Sequence, residues 1–235
     1  MDLIYRDDAY CKSCDATVVA ADDEGIRLDR TVFYPTGGGQ PGDTGVLRLT
    51  DGGTVRIVDT RKGSGHEDPV HVPEPGASLP APGTKVIAEI DWERRHRHMR
   101  IHSCLHLLCA VIDGDVTGGQ IGDGKGRLDF NLPDTRLDKE EIAANLNRLI
   151  SEDHPVAPRW ISDEELAANP QLVRTMSVQP PSGAGRVRLL EIAGVDLQPC
   201  GGTHVARTGE IGPITVTKIE NKGRQNRRVN IAFAE

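Results

Sequence analysis

Two short, widely separated motifs supply the residue types that bind a transition metal. His102 and His106 lie four apart within residues 94–112, RRHRHMRIHSCLHLLCAVI. On a helix that spacing stacks both imidazoles on one face, a turn apart, where they can share an ion. His98 extends the row by another turn, so the H-x-x-x-H pair alone is ordinary in an Arg/His-rich helix. The second motif, Cys200-Gly201-Gly202-Thr203-His204, sets a thiol and an imidazole four apart around two glycines. Glycine tolerates positive φ, which lets such a loop turn both side chains toward one point. Alone, the motif is equally a tight turn around a buried thiol. Together, one thiol and three imidazoles make a borderline-soft, tetrahedral set suited to zinc. One Zn2+ per chain is therefore the expected cofactor. Four protein ligands would close the sphere of a structural ion, whereas three with an open position would activate water. The sequence leaves both open.

Other reactive residue types fit blander roles. Cys11-Lys-Ser-Cys14 has C-x-x-C spacing but no second pair to complete a Cys₄ site, and no βαβ context for redox work. Cys104 and Cys109 adjoin the apolar face of the histidine helix and are expected in its core. Ser103 follows His102, so the general-base glutamate of H-E-x-x-H is missing. Positive charge gathers in two segments. Residues 93–100 hold Arg94, Arg95, Arg97 and Arg100 against Glu93, net +3; residues 218–228 hold Lys218, Lys222, Arg224, Arg227 and Arg228 against Glu220, net +4. The whole chain carries −7, which leaves −14 on the rest. That balance excludes indiscriminate coating of nucleic acid, but a basic strip on an acidic body suits a site-directed, phosphate-rich partner.

These residues must be positioned by 235 residues that are 37% hydrophobic and only 3% aromatic, hence by a largely aliphatic core. Residues 1–90 show short β-like runs at 16–20, 45–49, 54–59 and 85–90 between Gly- and Asp-rich turns, and predict a small β-barrel domain. Residues 62–84, rich in Pro and Gly, are expected to form a long loop. Residues 91–235 predict an α+β domain. A helix over 94–112 presents Ile101, Leu105, Leu108 and Ile112 as a stripe. A second spans 138–152 behind an Asp138/Glu141 capping box, and a third starts at Ser162 with Glu165 at N3. Strands follow at 186–192, 213–221 and 228–233. No run approaches a transmembrane length. The N-terminal MDLIYRDDAYCK is acidic and polar, unlike a signal peptide, so a cytoplasmic protein with reduced thiols is expected.

The two metal motifs together resemble the editing domain of alanyl-tRNA synthetase and its free-standing relatives, the AlaX-type alanyl-tRNA editing proteins. Thr117-Gly-Gly-Gln120, Arg127-Leu-Asp-Phe130, Thr208-Gly-Glu-Ile-Gly212 and the basic turn 223–228, GRQNRR, match the same pattern. The string FYPTGGGQPGDTG over residues 33–45 resembles the Gly-rich motif of longer AlaX proteins, which carry a β domain first. Its Gly-Gly-Gln tripeptide also occurs in release factors, but the surrounding residues resemble AlaX. The length fits a free-standing editor, and no aminoacylation domain is expected ahead of the β domain.

The resemblance implies trans-editing: hydrolysis of the ester of mischarged tRNA(Ala), chiefly Ser-tRNA(Ala), with Gly-tRNA(Ala) a second candidate. It places His102, His106, Cys200 and His204 on zinc and Gln120 beside the substrate, positioning the aminoacyl group or water. Contacts with tRNA are expected from Gly37, Gly38, Gly39 and Gln40, and from Arg94, Arg95, Lys222, Arg224, Arg227 and Arg228. A monomer without an obligate protein partner or membrane attachment is expected. Two other readings compete: a zinc hydrolase of small acyl or amide substrates, and a zinc-stabilised RNA-binding module without catalysis.

Overall fold

Alternation of apolar and polar residues governs the first third of the chain, and it closes a barrel. The computed structural model describes residues 1–50, 52–64, 68–133, 136–174 and 185–234. They group into two units, Met1–His96 and Arg97–Glu235. The first begins with β1 (Asp2–Leu3) and a single helical turn α1 (Ile4–Asp7), then β2 (Ser13–Asp22), β3 (Gly25–Leu28), β4 (Arg30–Thr31), β5 (Gly45–Leu49), β6 (Thr54–Lys62), β7 (Pro69–Pro73) and β8 (Lys85–Ile90). Strands β2, β3, β7, β6, β5 and β8 pair in that order into a closed six-stranded barrel, while β1 pairs with β4 in parallel. Every second residue points inward: Val18, Ile26, Leu28, Leu47, Val55, Ile57, Val86 and Ala88 form the core with Phe33.

One feature of this unit corrects the sequence reading and a second adds to it. The stretch 62–84, expected to be a loop, contains β7. Pro69 and Pro73 bound that strand at its ends, where Pro is tolerated in a sheet, and this punctuation hides Val70 and the buried His71 between them. The Gly-rich stretch is a strap tied down by charge. Asp43, 1% exposed, accepts Arg95 Nε at both carboxylate oxygens (3.0 and 2.9 Å) and the Tyr34 amide at 2.6 Å. Arg95 is 0% exposed and also donates to the Ala9 and Val32 carbonyls. Arg94 donates to the Gly42 carbonyl at 2.6 Å. Gly42 has no room for a side chain, since a Cβ would lie 2.0 Å from the Thr60 carbonyl oxygen. At the strap's tip Gly37 and Gln40 exchange backbone bonds, with Gly38 at φ 57° and Gly39 at φ 81°.

Helix α2 (Trp92–Val111) leads from the first unit into the second. There follow β9 (Asp115–Gly122), β10 (Lys125–Asn131), α3 (Lys139–Ser151), β11 (Val156–Ser162), α4 (Asp163–Ala168), β12 (Arg186–Ile192), β13 (Asp196–Pro199), β14 (Ile214–Lys222) and β15 (Asn226–Phe233). One sheet runs β14-β15-β10-β9 and a second runs β11-β12-β13. Asp138 caps α3 by accepting the Glu141 amide, and a complete capping box at Ser162 and Glu165 starts α4. Strands β9, β10, β11 and β13 are additions to the sequence reading. Helix α2 is more deeply set than a one-stripe helix: residues 101–109 are buried on every side. Its approach to the sheet depends on Gly126 of β10, where a Cβ would meet Ile101 Cγ2 at 2.7 Å and Leu105 Cδ1 at 3.5 Å. That contact flanks His102. Asn147 of α3 locks to β14 by exchanging two bonds with the Ile214 backbone (2.7 and 2.9 Å).

Candidate metal centre

The four predicted ligands meet. His102 and His106 project from one face of α2, Cys200 directly follows β13, and His204 closes the ensuing loop. One donor atom from each lies within 4.8 Å of the others. Cys200 Sγ is 3.1 Å from His204 Nε2 and 3.6 Å from His102 Nε2. A zinc tetrahedron with ordinary Zn–N and Zn–S bonds has edges of about 3.3–3.6 Å. The two sulfur–nitrogen separations lie close to that range while the set as a whole spans up to 4.8 Å, so the cluster could hold a metal ion and its donor chemistry suits zinc. The three imidazoles are buried, at 7% exposure or less.

Two of the imidazole ligands, His106 and His204, are held by side chains outside the ligand set. His106 Nδ1 donates to Asp196 Oδ2 at 3.1 Å, and Gln198 Nε2 donates to the same oxygen at 2.7 Å. With an ion bound, this bond would keep the ring proton on Nδ1 and leave Nε2 to present its lone pair, the usual outer-sphere support of a metal-bound histidine. Ser103 Oγ lies 3.2 Å from His204 Nδ1 and accepts the Val205 amide at 3.2 Å, tying the loop to α2. Asp196 and Gln198 occupy the buried face of β13. Their burial follows from the pairing of β13 with β12, which the sequence does not mark. Neither Gly201 nor Gly202 takes a left-handed φ, contrary to the expectation for this loop. A Cβ at Gly201 would meet nothing within 4 Å.

The electrostatics favour a thiolate among imidazoles. Burial pushes the Cys200 thiol up, but the charges of His102 and His204 and hydrogen bonds from His102 and His106 outweigh it and hold the thiol well below its ordinary range. Burial opposes protonation of His106, yet the bonds to Asp196 and Cys200 raise it to about 9. His204, desolvated and beside the charge of His102, is held well below the usual range. Cys104 and Cys109 are buried; burial pushes both thiols up, Cys109 to about 12.

The remaining expected site residues separate by burial. Gln120 on β9 is exposed, and its Oε1 accepts Arg127 Nε at 3.3 Å rather than meeting the four ligands. Lys222 and Arg224 are exposed and line an open groove of about 560 Å³ with Pro133, Gln225 and Asn226. Gly38 and Gly39 are exposed, and Gly37 is half-buried beneath the Tyr34 hydroxyl, which donates to its carbonyl at 2.8 Å. Three of the residues expected to contact RNA are buried. Arg95 is sealed on Asp43, Gln40 is 0% exposed, and Arg227 is 9% exposed with its guanidinium turned to the carbonyls of Gly223, Arg224 and Asn226. Arg228 is half-buried in a two-point ion pair with Asp129 (2.7 and 2.9 Å).

Comparison with known proteins places these features in a family. Residues 187–230 match the threonyl and alanyl tRNA synthetase second additional domain, and residues 9–94 match tRNA synthetases class II (A). The chain is 39% identical to the alanyl-tRNA editing protein AlaX-M of Methanosarcina acetivorans, across 97% of each chain. It is 34% identical to AlaX-M of Saccharolobus solfataricus, across 96% of each. Against the alanine–tRNA ligase of Metallosphaera sedula, 39% identity covers 92% of this chain but 24% of the ligase. With likeness running end to end through barrel, strap and metal motifs alike, the chain belongs to the AlaX family of alanyl-tRNA editing proteins.

Proposed function

We propose that the protein is a trans-editing aminoacyl-tRNA deacylase. It hydrolyses the ester of mischarged tRNA(Ala), chiefly Ser-tRNA(Ala) with Gly-tRNA(Ala) second, using one Zn2+ held by His102, His106, Cys200 and His204. The observation that carries this reading is the convergence of those four donor atoms in a chain alike throughout to alanyl-tRNA editing proteins. The chemistry has a physical rationale. An alanine pocket cannot exclude the smaller glycine, nor strongly reject serine by one hydroxyl, so a second hydrolytic sieve is the remedy. The ester is labile, so a site needs positioning and polarisation more than a covalent nucleophile. When bound, the ion supplies Lewis-acid polarisation or a more acidic water.

The chain's own residues supply the rest. Asp196 fixes the His106 ring. Gln120 offers an exposed carboxamide to the aminoacyl group or water. Lys222 and Arg224, on a groove open to solvent, meet backbone phosphates, and the Gly37–Gly39 tip lets a nucleic-acid backbone approach closely. The barrel domain (1–90) and the editing domain (91–235) act together as a cytoplasmic monomer with no obligate protein partner. Among the described residues no helix is long and apolar enough to cross a membrane.

The test is to incubate the purified protein with Ser-, Gly- and Ala-charged tRNA(Ala) and follow amino-acid release. Rapid loss of serine, slower loss of glycine and sparing of alanine are expected. A closed set of four protein ligands equally suits a structural ion, so absence of hydrolysis with retained tRNA binding would favour the RNA-binding module instead. His106→Ala, with far-UV circular dichroism as a folding control, is expected to abolish release.

A further inference from the structure

The loop that carries Cys200 and His204 is gripped from outside the metal cluster by one residue of the neighbouring strand. Arg188 Nη1 donates to the Cys200 carbonyl at 2.7 Å and to the Gly202 carbonyl at 3.1 Å. The Arg188 backbone carbonyl in turn accepts the Cys200 amide at 3.1 Å. One residue thus holds the carbonyls of both residues that flank Gly201, from a side chain that is itself half-buried on β12. Gly201 contributes no anchoring of its own, being exposed with nothing near its Cβ direction. Within this bracket the Gly202 amide donates to Cys200 Sγ at 3.4 Å. The geometry of the sulfur, its amide bond and the path to His204 therefore depends on two carbonyls being held in place.

We propose that Arg188 is a positioning residue of the metal centre: its guanidinium clamps the Cys200-Gly201-Gly202 loop and so sets the thiolate and the third imidazole for the ion. The proposal rests on the four-ligand centre alone. It can stand or fall without regard to the deacylase reading, because its test reads metal binding.

Charge-assisted hydrogen bonds to two carbonyls in a partly buried site are among the stronger restraints available to a loop. Supports of this kind alter metal affinity by about 10–100-fold when removed. The unbranched Met side chain replaces the arm of Arg188 without its donors, whereas the Lys ammonium can restore bonds to one or both carbonyls. R188M is therefore expected to keep its far-UV circular dichroism, to lose about 10–100-fold in Zn2+ affinity against a competing chelator, and to show a weakened thiolate charge-transfer band when loaded with Co2+. R188K is expected to recover most of both. Wild-type affinity and an unchanged Co2+ spectrum in R188M would overturn the proposal. Should R188M fail to fold, thermal midpoints of R188Q, whose shorter carboxamide cannot span both carbonyls, and the parent are compared with and without Zn2+. A deficit confined to the loaded protein supports positioning; an equal deficit in both, or none in either, overturns it.

Discussion

At the scale of single residues, the centre works through bonds one step removed from the ion. A histidine presents Nε2 to a metal only if its proton sits on Nδ1, and in His106 that proton has a buried acceptor in Asp196. The carboxylate is itself steadied by Gln198, so ring and acceptor cannot drift independently. Asp196→Asn keeps the shape but replaces the anionic acceptor by a carboxamide that must choose between presenting oxygen and nitrogen. Zn2+ affinity, read by chelator competition, is expected to fall by about 10–100-fold with little change in circular dichroism. An affinity within about twofold of the parent would show that the bond only fills space. The four ligands were legible from residue type and spacing. Their partners were not, because Asp196, Ser103 and Arg188 are brought to the ligands by strand pairing and helix packing that no local spacing encodes.

At the scale of elements, legibility followed the strength of local signals. Helix α4 announces itself by a capping box that bonds as its spacing predicts, and α3 by the Asp138 half of one. Strand β9 has the sequence DVTGGQIG, in which two glycines mimic a turn, and β7 is framed by prolines; both are stabilised by neighbours, not by propensity. The barrel that β7 completes also buries a titratable group. His71 is 0% exposed, with Nε2 2.8 Å from Thr31 Oγ1, Nδ1 2.9 Å from the Ile26 carbonyl, and the Phe33 ring edge-on at 5.1 Å. Burial drives its pKa from 6.5 down to about 4, against weaker raising contributions from the Ile26 bond, Asp43 and Asp68. The unfolded chain then binds a proton that the folded barrel refuses. The His71 contribution is thus fully present above about pH 6.5 and is lost as pH falls toward about 4, a total on the order of 3 kcal/mol. Urea unfolding followed by Trp92 fluorescence in a W160F background should show this loss between about pH 7 and about pH 4.5. His71→Gln, neutral throughout, should flatten the slope, and an identical slope in both proteins would remove His71 as its cause.

At the scale of the whole molecule, charge has to be counted after burial. The net of −7 and the two basic segments are properties of the sequence, but the first segment does not offer its full +3 to solvent. Arg95 neutralises Asp43 out of reach of solvent, where removing either partner would leave an uncompensated buried charge, and Arg94 holds the strap. In the second segment Arg228 answers Asp129, Arg227 caps its own hairpin, and Lys218 and Lys222 share Glu220. What remains most available is Arg224, with Lys222 beside it on the open groove. Attraction for RNA should therefore be local and modest, which suits a partner that must leave after one ester is cut. Counterion release makes the number of such contacts measurable, because each phosphate met by a cation adds a fixed increment to the dependence of affinity on salt. The double variant K222A/R224A is expected to raise KM for mischarged tRNA(Ala) several-fold while kcat and metal content stay near the parent values. Its plot of log(kcat/KM) against log salt should flatten by roughly 1.5. A parent-like salt slope would mean that phosphates are met elsewhere on the surface, with the exposed Gly38–Gly39 tip of the strap the next place to test.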